Sequence, residues 1–258
     1  MTPPQPIKRH WLTRLRPLEL AEFLKKILRI HRYEIEAEGL RVWIDPVSNV
    51  GSRLLAEGTY EKKLTDALSH LLGPNLTFYD VGANEGWFSL IAARIVGPGG
   101  RIVAVEPQER LWPVILQNAS LNHFANINLQ PFAIANQEGE TTIKLYPSVN
   151  TGASGLGSDK RRFERLQRVT LLPLARLIEG SGLTKIDLMK IDVEGYELEV
   201  LKSAGEHLGR SILRLVVETH APQLAERGES VEQVHELLRS RGYSNRLVAG
   251  VEVWELGR

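Results

Sequence analysis

The stretch Asp80-Val81-Gly82-Ala83-Asn84-Glu85-Gly86 decides the reading of this chain. An apolar run, Leu76 to Val81, leads into it, and a helical pattern, Trp87 to Val96, leads out. Gly82 permits the tight turn that such a junction needs, and Gly86 lets the emerging helix pack closely on the sheet. Backbone N–H groups at the start of that helix would face a ligand.

Outward from this junction, strand, turn and helix repeat. Arg101 to Val105 reads as a strand, Glu109 to Asn122 as a helix and Ile127 to Ile134 as a third strand, with Thr141 to Tyr146 as an extra one. Ile186 to Ile191 and the helix Tyr196 to Leu208 follow, then Ile212 to Val217 and the helix Val231 to Arg241. Tyr243 to Val248 and Val251 to Leu256 close the chain as an antiparallel pair. Continuous apolar strands such as Ile102-Val103-Ala104-Val105 suit a sheet covered on both faces. The alternation predicts a doubly wound α/β domain over residues 76–258. Upstream, residues 1–75 predict an extension: a helix from Leu18, a hairpin of Tyr33 to Ala37 with Leu40 to Ile44, and a helix over Glu61 to Leu72.

In such a sheet ligands lie beyond the carboxyl ends of the strands, so the functional residues are sought there. The dinucleotide fingerprint asks for glycine at position 84; here Asn84 stands instead, with the carboxylate of Asp80 just upstream. A carboxylate at that place disfavours a pyrophosphate and suits a ligand bearing an ammonium and a sulfonium. S-adenosylmethionine carries both and no phosphate. Asn84 offers a donor and an acceptor to an amino-acid head group. Glu106 ends the second strand about twenty residues beyond the glycines, where an acid that accepts from ribose hydroxyls belongs. Phe132-Ala133-Ile134 ends the third strand, and Ala133 is expected beside the adenine. The expected cofactor contacts are thus Asp80, Gly82, Asn84, Gly86, Glu106 and Ala133.

A second acidic motif, Lys190-Ile191-Asp192-Val193-Glu194-Gly195-Tyr196-Glu197, ends the fourth strand. Alternation puts Lys190 and Asp192 on one face, so Asp192 emerges at the carboxyl edge beside the methyl donor. Methyl transfer to an alcohol gains from a general base, since a proton leaves as the bond forms. Asp192 is the first candidate, and His220, after the fifth strand in Glu218-Thr219-His220, is the second. Tyr60 and Glu61 can reach the cofactor from the N-terminal side or cap the helix that follows them. The Gly-rich segment Asn150 to Ser158 reads as a lid or a surface linker.

These motifs together resemble the FkbM family of methyltransferases. The matching residues are Asp80 to Gly86, Glu106-Pro107, Lys190 to Gly195 with Glu197, and Val200-Leu201. The resemblance implies a seven-stranded, Rossmann-like class I methyltransferase sheet with helices on both faces. It also implies O-methylation of hydroxyls on sugars, polyketides or related metabolites. Glu85 departs from the family, where an apolar residue is more usual.

Composition sets bounds on the alternatives. Net charge is +1, so no global field favours nucleic acid, although Lys8 to Arg16 and Lys160 to Arg168 are locally basic. A nucleic-acid or protein methyltransferase is the alternative reading; an NADH-dependent oxidoreductase is disfavoured by Asp80 and Asn84. The absence of cysteine removes thiolate metal sites, the scattered histidines show no metal-ligand spacing, and no metal is expected. No continuous apolar run suggests a signal peptide or a membrane span, and a cytoplasmic location is expected.

Overall fold

The computed structural model describes residues 18–147 and 165–257. The chain opens with α1 (Leu18–Ile27), the hairpin β1 (Tyr33–Ala37) and β2 (Leu40–Ile44), then α2 (Asn49–Glu57) and α3 (Lys62–Leu71). Next come β3 (Thr77–Val81), α4 (Trp87–Val96), β4 (Arg101–Val105), α5 (Trp112–Leu121) and β5 (Ile127–Gln130). β6 (Ala133–Ile134), β7 (Gly139–Leu145), β8 (Arg165–Leu172) and α6 (Leu174–Ser181) follow. The last third holds β9 (Leu188–Ile191), α7 (Glu197–Ser203), β10 (Arg214–Val217), α8 (Ala221–Glu226), α9 (Val231–Ser240), β11 (Tyr243–Val248) and β12 (Val251–Leu256).

Seven strands form one sheet in the order β11-β12-β10-β9-β3-β4-β5. β10, β9, β3, β4 and β5 run parallel, and β12 and β11 add an antiparallel edge. This is the seven-stranded class I methyltransferase topology expected above. The chain starts in the middle at β3, winds outward through β4 and β5, and crosses back to β9. β3 and β9 are therefore neighbours at the switch point, and the loops after them meet.

Alternation along the central strands supplies both cores. Phe78, Ile102 and Leu188 face a layer of β2, α2, α3 and α4, whereas Tyr79, Val103 and Met189 face α6, α7 and α9. Val42, Leu54 and Leu68 of the N-terminal extension pack in the same core as Phe78 and Leu90, so the extension is built against the sheet. β6, β8 and β7 form a separate sheet.

Two expectations are corrected, on the third strand and on Gly86, and two features are added. Ile127 to Ile134 is two strands in two sheets, parted at Pro131, which has no N–H for a ladder. Part of the basic segment Lys160 to Arg168 belongs to β8, where Arg168 pairs with Glu140 at 3.5 Å. α2, α6 and α8 are additional helices. Gly86 meets the neighbouring helix, not the sheet: a Cβ there would lie 3.1 Å from Ile115 Cγ1 of α5. Lys8 to Arg16 and Asn150 to Ser158 lie outside the described residues.

Candidate active site

At the switch point the backbone is pulled into a tight cradle. Gly82 and Ala83 both donate to the Val105 carbonyl at 3.0 Å, and Asp192 N–H donates to Val81 O at 3.0 Å. Gly82 has φ +82, and a Cβ on it would fall 1.8 Å from the Asp192 carbonyl oxygen. Only glycine fits there. Asn84 follows in the left-handed region at φ 50, a conformation Asn adopts more readily than most residues.

Glu106 is locked beside that loop. Its two carboxylate oxygens accept from Asn84 N–H and Gln108 N–H, each at 2.8 Å, and it is buried. Burial pushes its pKa up to about 7, against the two backbone hydrogen bonds, which lower it. Pro107, Gln108, Ala133 and Ile134 extend this end of the cavity.

Asp80 is placed differently from the expectation. Its carboxylate has no exposed surface and does not line the cavity. It sits opposite Lys190 in the β3–β9 register and accepts from Lys190 Nζ at 3.2 Å and from Ser89 Oγ at 2.7 Å. Lys190 also donates to Gly82 O at 3.1 Å and lies 3.3 Å from Asp192 Oδ2. Burial opposes the charge on Lys190, but Asp80 and Asp192 outweigh it and push its pKa up. Asp80 thus braces the loop through Lys190. Glu85 is likewise explained: its buried carboxylate is met by Arg32 of the extension at 2.7 Å.

The ends of β9 and β10 bring a second group together. Asp192, Glu218 and His220 line the cavity, and one ligand-type atom from each lies within 4.8 Å of the others. His220 Nε2 is 3.7 Å from Asp192 Oδ1, 3.7 Å from Glu194 Oε2 and 4.0 Å from Glu218 Oε1. Its Nδ1 is held 2.8 Å from Glu197 Oε1, which also accepts from Gly195 N–H at 2.9 Å. Burial opposes the imidazolium, but Glu197, Glu194 and Asp192 outweigh it and push the His220 pKa up to about 9. Glu218 is pushed up to about 7 by burial and then by Asp192 and Glu61, although almost half its side chain is open. Side chains of these three types can ligate a metal, a grouping that sequence spacing did not reveal. Each of the three can also hold or release a proton.

The cavity between these groups is about 300 Å³ and reaches from Gln108 to α2. Five carboxylates line it, Glu61, Glu106, Asp192, Glu194 and Glu218, against Arg53 and His220. That acidic lining suits a ligand bearing an ammonium and a sulfonium, and Glu106 is placed to accept from vicinal hydroxyls. Among the expected contacts, Gly82, Asn84, Glu106, Ala133, Asp192 and His220 line one cavity; Asp80 and Gly86 do not. Sequence reading missed Glu218, although the rule that found His220 applies equally to it. It also missed Asn49 and Arg53, which sit one helical turn apart on α2 and face the cavity while Val50 and Leu54 are buried.

The family model for the methyltransferase FkbM domain matches residues 80–244, well over half of the chain. The chain belongs to the FkbM methyltransferase family. It is an enzyme of methyl transfer, with S-adenosylmethionine as its cofactor. Methyltransferase sdnD of Sordaria araneosa is 27% identical over 222 residues, 74% of this chain and 83% of that protein. The 31-O-demethyl-FK506 methyltransferase FkbM of Streptomyces tacrolimicus is 26% identical over 218 residues, 72% of this chain and 81% of its own. Hexuronic acid methyltransferase AglP of Haloferax volcanii is 26% identical over 143 residues, 55% of each chain. Among the described residues of this FkbM-family protein, no helix is long and apolar enough to cross a membrane.

Proposed function

We propose that this FkbM-family enzyme methylates a hydroxyl group of a small metabolite or glycan, such as a sugar or polyketide. The observation that carries this reading is the cluster of Asp192, Glu218 and His220 at the carboxyl ends of two adjacent strands, beside the Gly82 loop. A hydroxyl acceptor must lose a proton as its oxygen is methylated, whereas a carboxylate acceptor brings none to remove. A proton-handling cluster therefore favours the hydroxyl. The relatives named for 31-O-demethyl-FK506 and for hexuronic acid support a small-molecule or sugar acceptor.

The bound cofactor supplies an electrophilic methyl group on a sulfonium. Glu106 accepts from the ribose hydroxyls, Gly82 and Asn84 shape the loop around the donor, and Ala133 flanks the adenine. Asp192 and Glu218 share the role of base: burial and then repulsion from Asp192 raise the proton affinity of Glu218 to match neutral pH. His220, already protonated at that pH, is a cationic anchor that holds the two carboxylates apart and in place. The chain's main contribution is alignment of acceptor and donor, which can supply a large share of the rate.

A labelled-methyl transfer screen against hydroxylated metabolites and saccharides tests this reading. The expected product keeps its label through mild alkali, as an ether does. A label released by alkali as methanol marks an ester and contradicts the proposal.

A further inference from the structure

Arg53 is a cation in the cavity wall with no anionic partner among the described residues. It projects from α2, and among the described residues its guanidinium makes no ion pair and its buried Nε has no hydrogen-bond partner. Its contact is with the face of Tyr60, 5.3 Å from guanidinium carbon to ring centroid. A partly buried guanidinium without an anion is costly, so an anionic group of a ligand would be stabilised there.

The cofactor brings one anionic group, its amino-acid carboxylate. Elsewhere in the cavity that carboxylate would face Glu106, Asp192, Glu194 and Glu218. The other basic groups are engaged: Lys190 by Asp80, Asp192 and Gly82 O, and His220 by Glu197 and the carboxylates around it.

Glu61 points to the same subsite. It precedes α3 at φ 44 and ψ 61, a left-handed conformation that is strained for a glutamate, and its side chain makes no capping hydrogen bond. It lines the cavity beside Tyr60 instead.

We propose that Arg53 seats the methionine carboxylate of the cofactor through its planar fork, with Glu61 opposite the ammonium. The proposal rests on the assignment of this cavity to S-adenosylmethionine. It gives α2, upstream of the segment that matches the family model, a direct part in cofactor binding.

Calorimetric binding to the full chain tests it with two probes: S-adenosylhomocysteine, and the same thioether lacking only the carboxylate. Wild type is expected to prefer the carboxylate-bearing probe by about 10- to 100-fold, the span of a charge-assisted contact. In Arg53→Gln that preference should shrink to about threefold or less, with affinity for the decarboxylated probe unchanged. Arg53→Lys, which keeps the charge and loses the fork, should fall between. Three results overturn the proposal: an undiminished preference in Arg53→Gln, an equal loss for both probes, or intact S-adenosylhomocysteine binding with only the acceptor KM raised. Failure of both probes to bind folded wild type would instead sink the cofactor assignment of the cavity itself.

Discussion

His220 Nδ1 lies 2.8 Å from Glu197 Oε1, and Glu197 has no surface exposed to solvent. A buried carboxylate thus fixes the imidazole so that its Nε2 faces Asp192 and Glu218. Removing the charge but keeping the shape, as in Glu197→Gln, should lower the His220 pKa from about 9 by about one unit or more. Nuclear magnetic resonance of the His220 ring nitrogens checks this directly. Turnover should fall about tenfold while S-adenosylhomocysteine affinity holds. An unchanged titration would remove Glu197 from the account.

Glu218 sets the pH dependence of turnover. With its pKa pushed up to about 7, the Asp192–Glu218 pair holds a proton below that pH and is free to accept one above it. At saturating cofactor, kcat should rise about tenfold per pH unit below 7 and level off above 8. In Glu218→Gln this limb should disappear along with most of the activity. A flat wild-type profile between pH 6 and 8 would contradict the role.

Glu106 predicts a separate pH effect on binding. The ionised form accepts best from ribose hydroxyls, so S-adenosylhomocysteine affinity should rise as pH climbs through about 7. Stability of the free protein runs the other way. The folded pKa lies above the ordinary value of 4.5, so folding binds a proton between those two values. Raising pH across that window therefore removes stability, about 3 kcal/mol from this group, and nothing further is lost above it. Kd and urea denaturation measured from pH 5 to 8 check both signs.

Lys190 and Asp80 form a pair with almost no exposed surface. Lys190→Met leaves the Asp80 carboxylate with Ser89 alone, and should cost about 3–5 kcal/mol in urea unfolding. Pairing it with Asp80→Asn should restore at least about half of that loss. Simple additivity of the two substitutions would show that the pair is not coupled.

The loop from Asp80 to Gly86 was legible because its turn depends on local chemistry, and Gly82 proves irreplaceable by a contact with its own neighbouring loop. Asp80 was legible as a carboxylate but not as a partner of Lys190, since that pairing exists only across the β3–β9 register. The same is true of α2. Gly51 and the preceding Pro46 obscure its helical pattern, yet Ser48 caps it by accepting from Gly51 N–H at 2.9 Å. Once the helix docks through Val50 and Leu54, Asn49 and Arg53 are carried to the cavity by helical spacing alone. Strand ends were readable as places where chemistry occurs. Which of their side chains meet was a matter of sheet order.

The most direct test of the central claim is the partition of Asp192→Asn between turnover and cofactor binding, measured with a hydroxyl acceptor. If Asp192 and Glu218 take the acceptor's proton, kcat should fall about a hundredfold or more while S-adenosylhomocysteine Kd stays within about threefold. A parallel loss of binding and turnover, or turnover left intact, would contradict it.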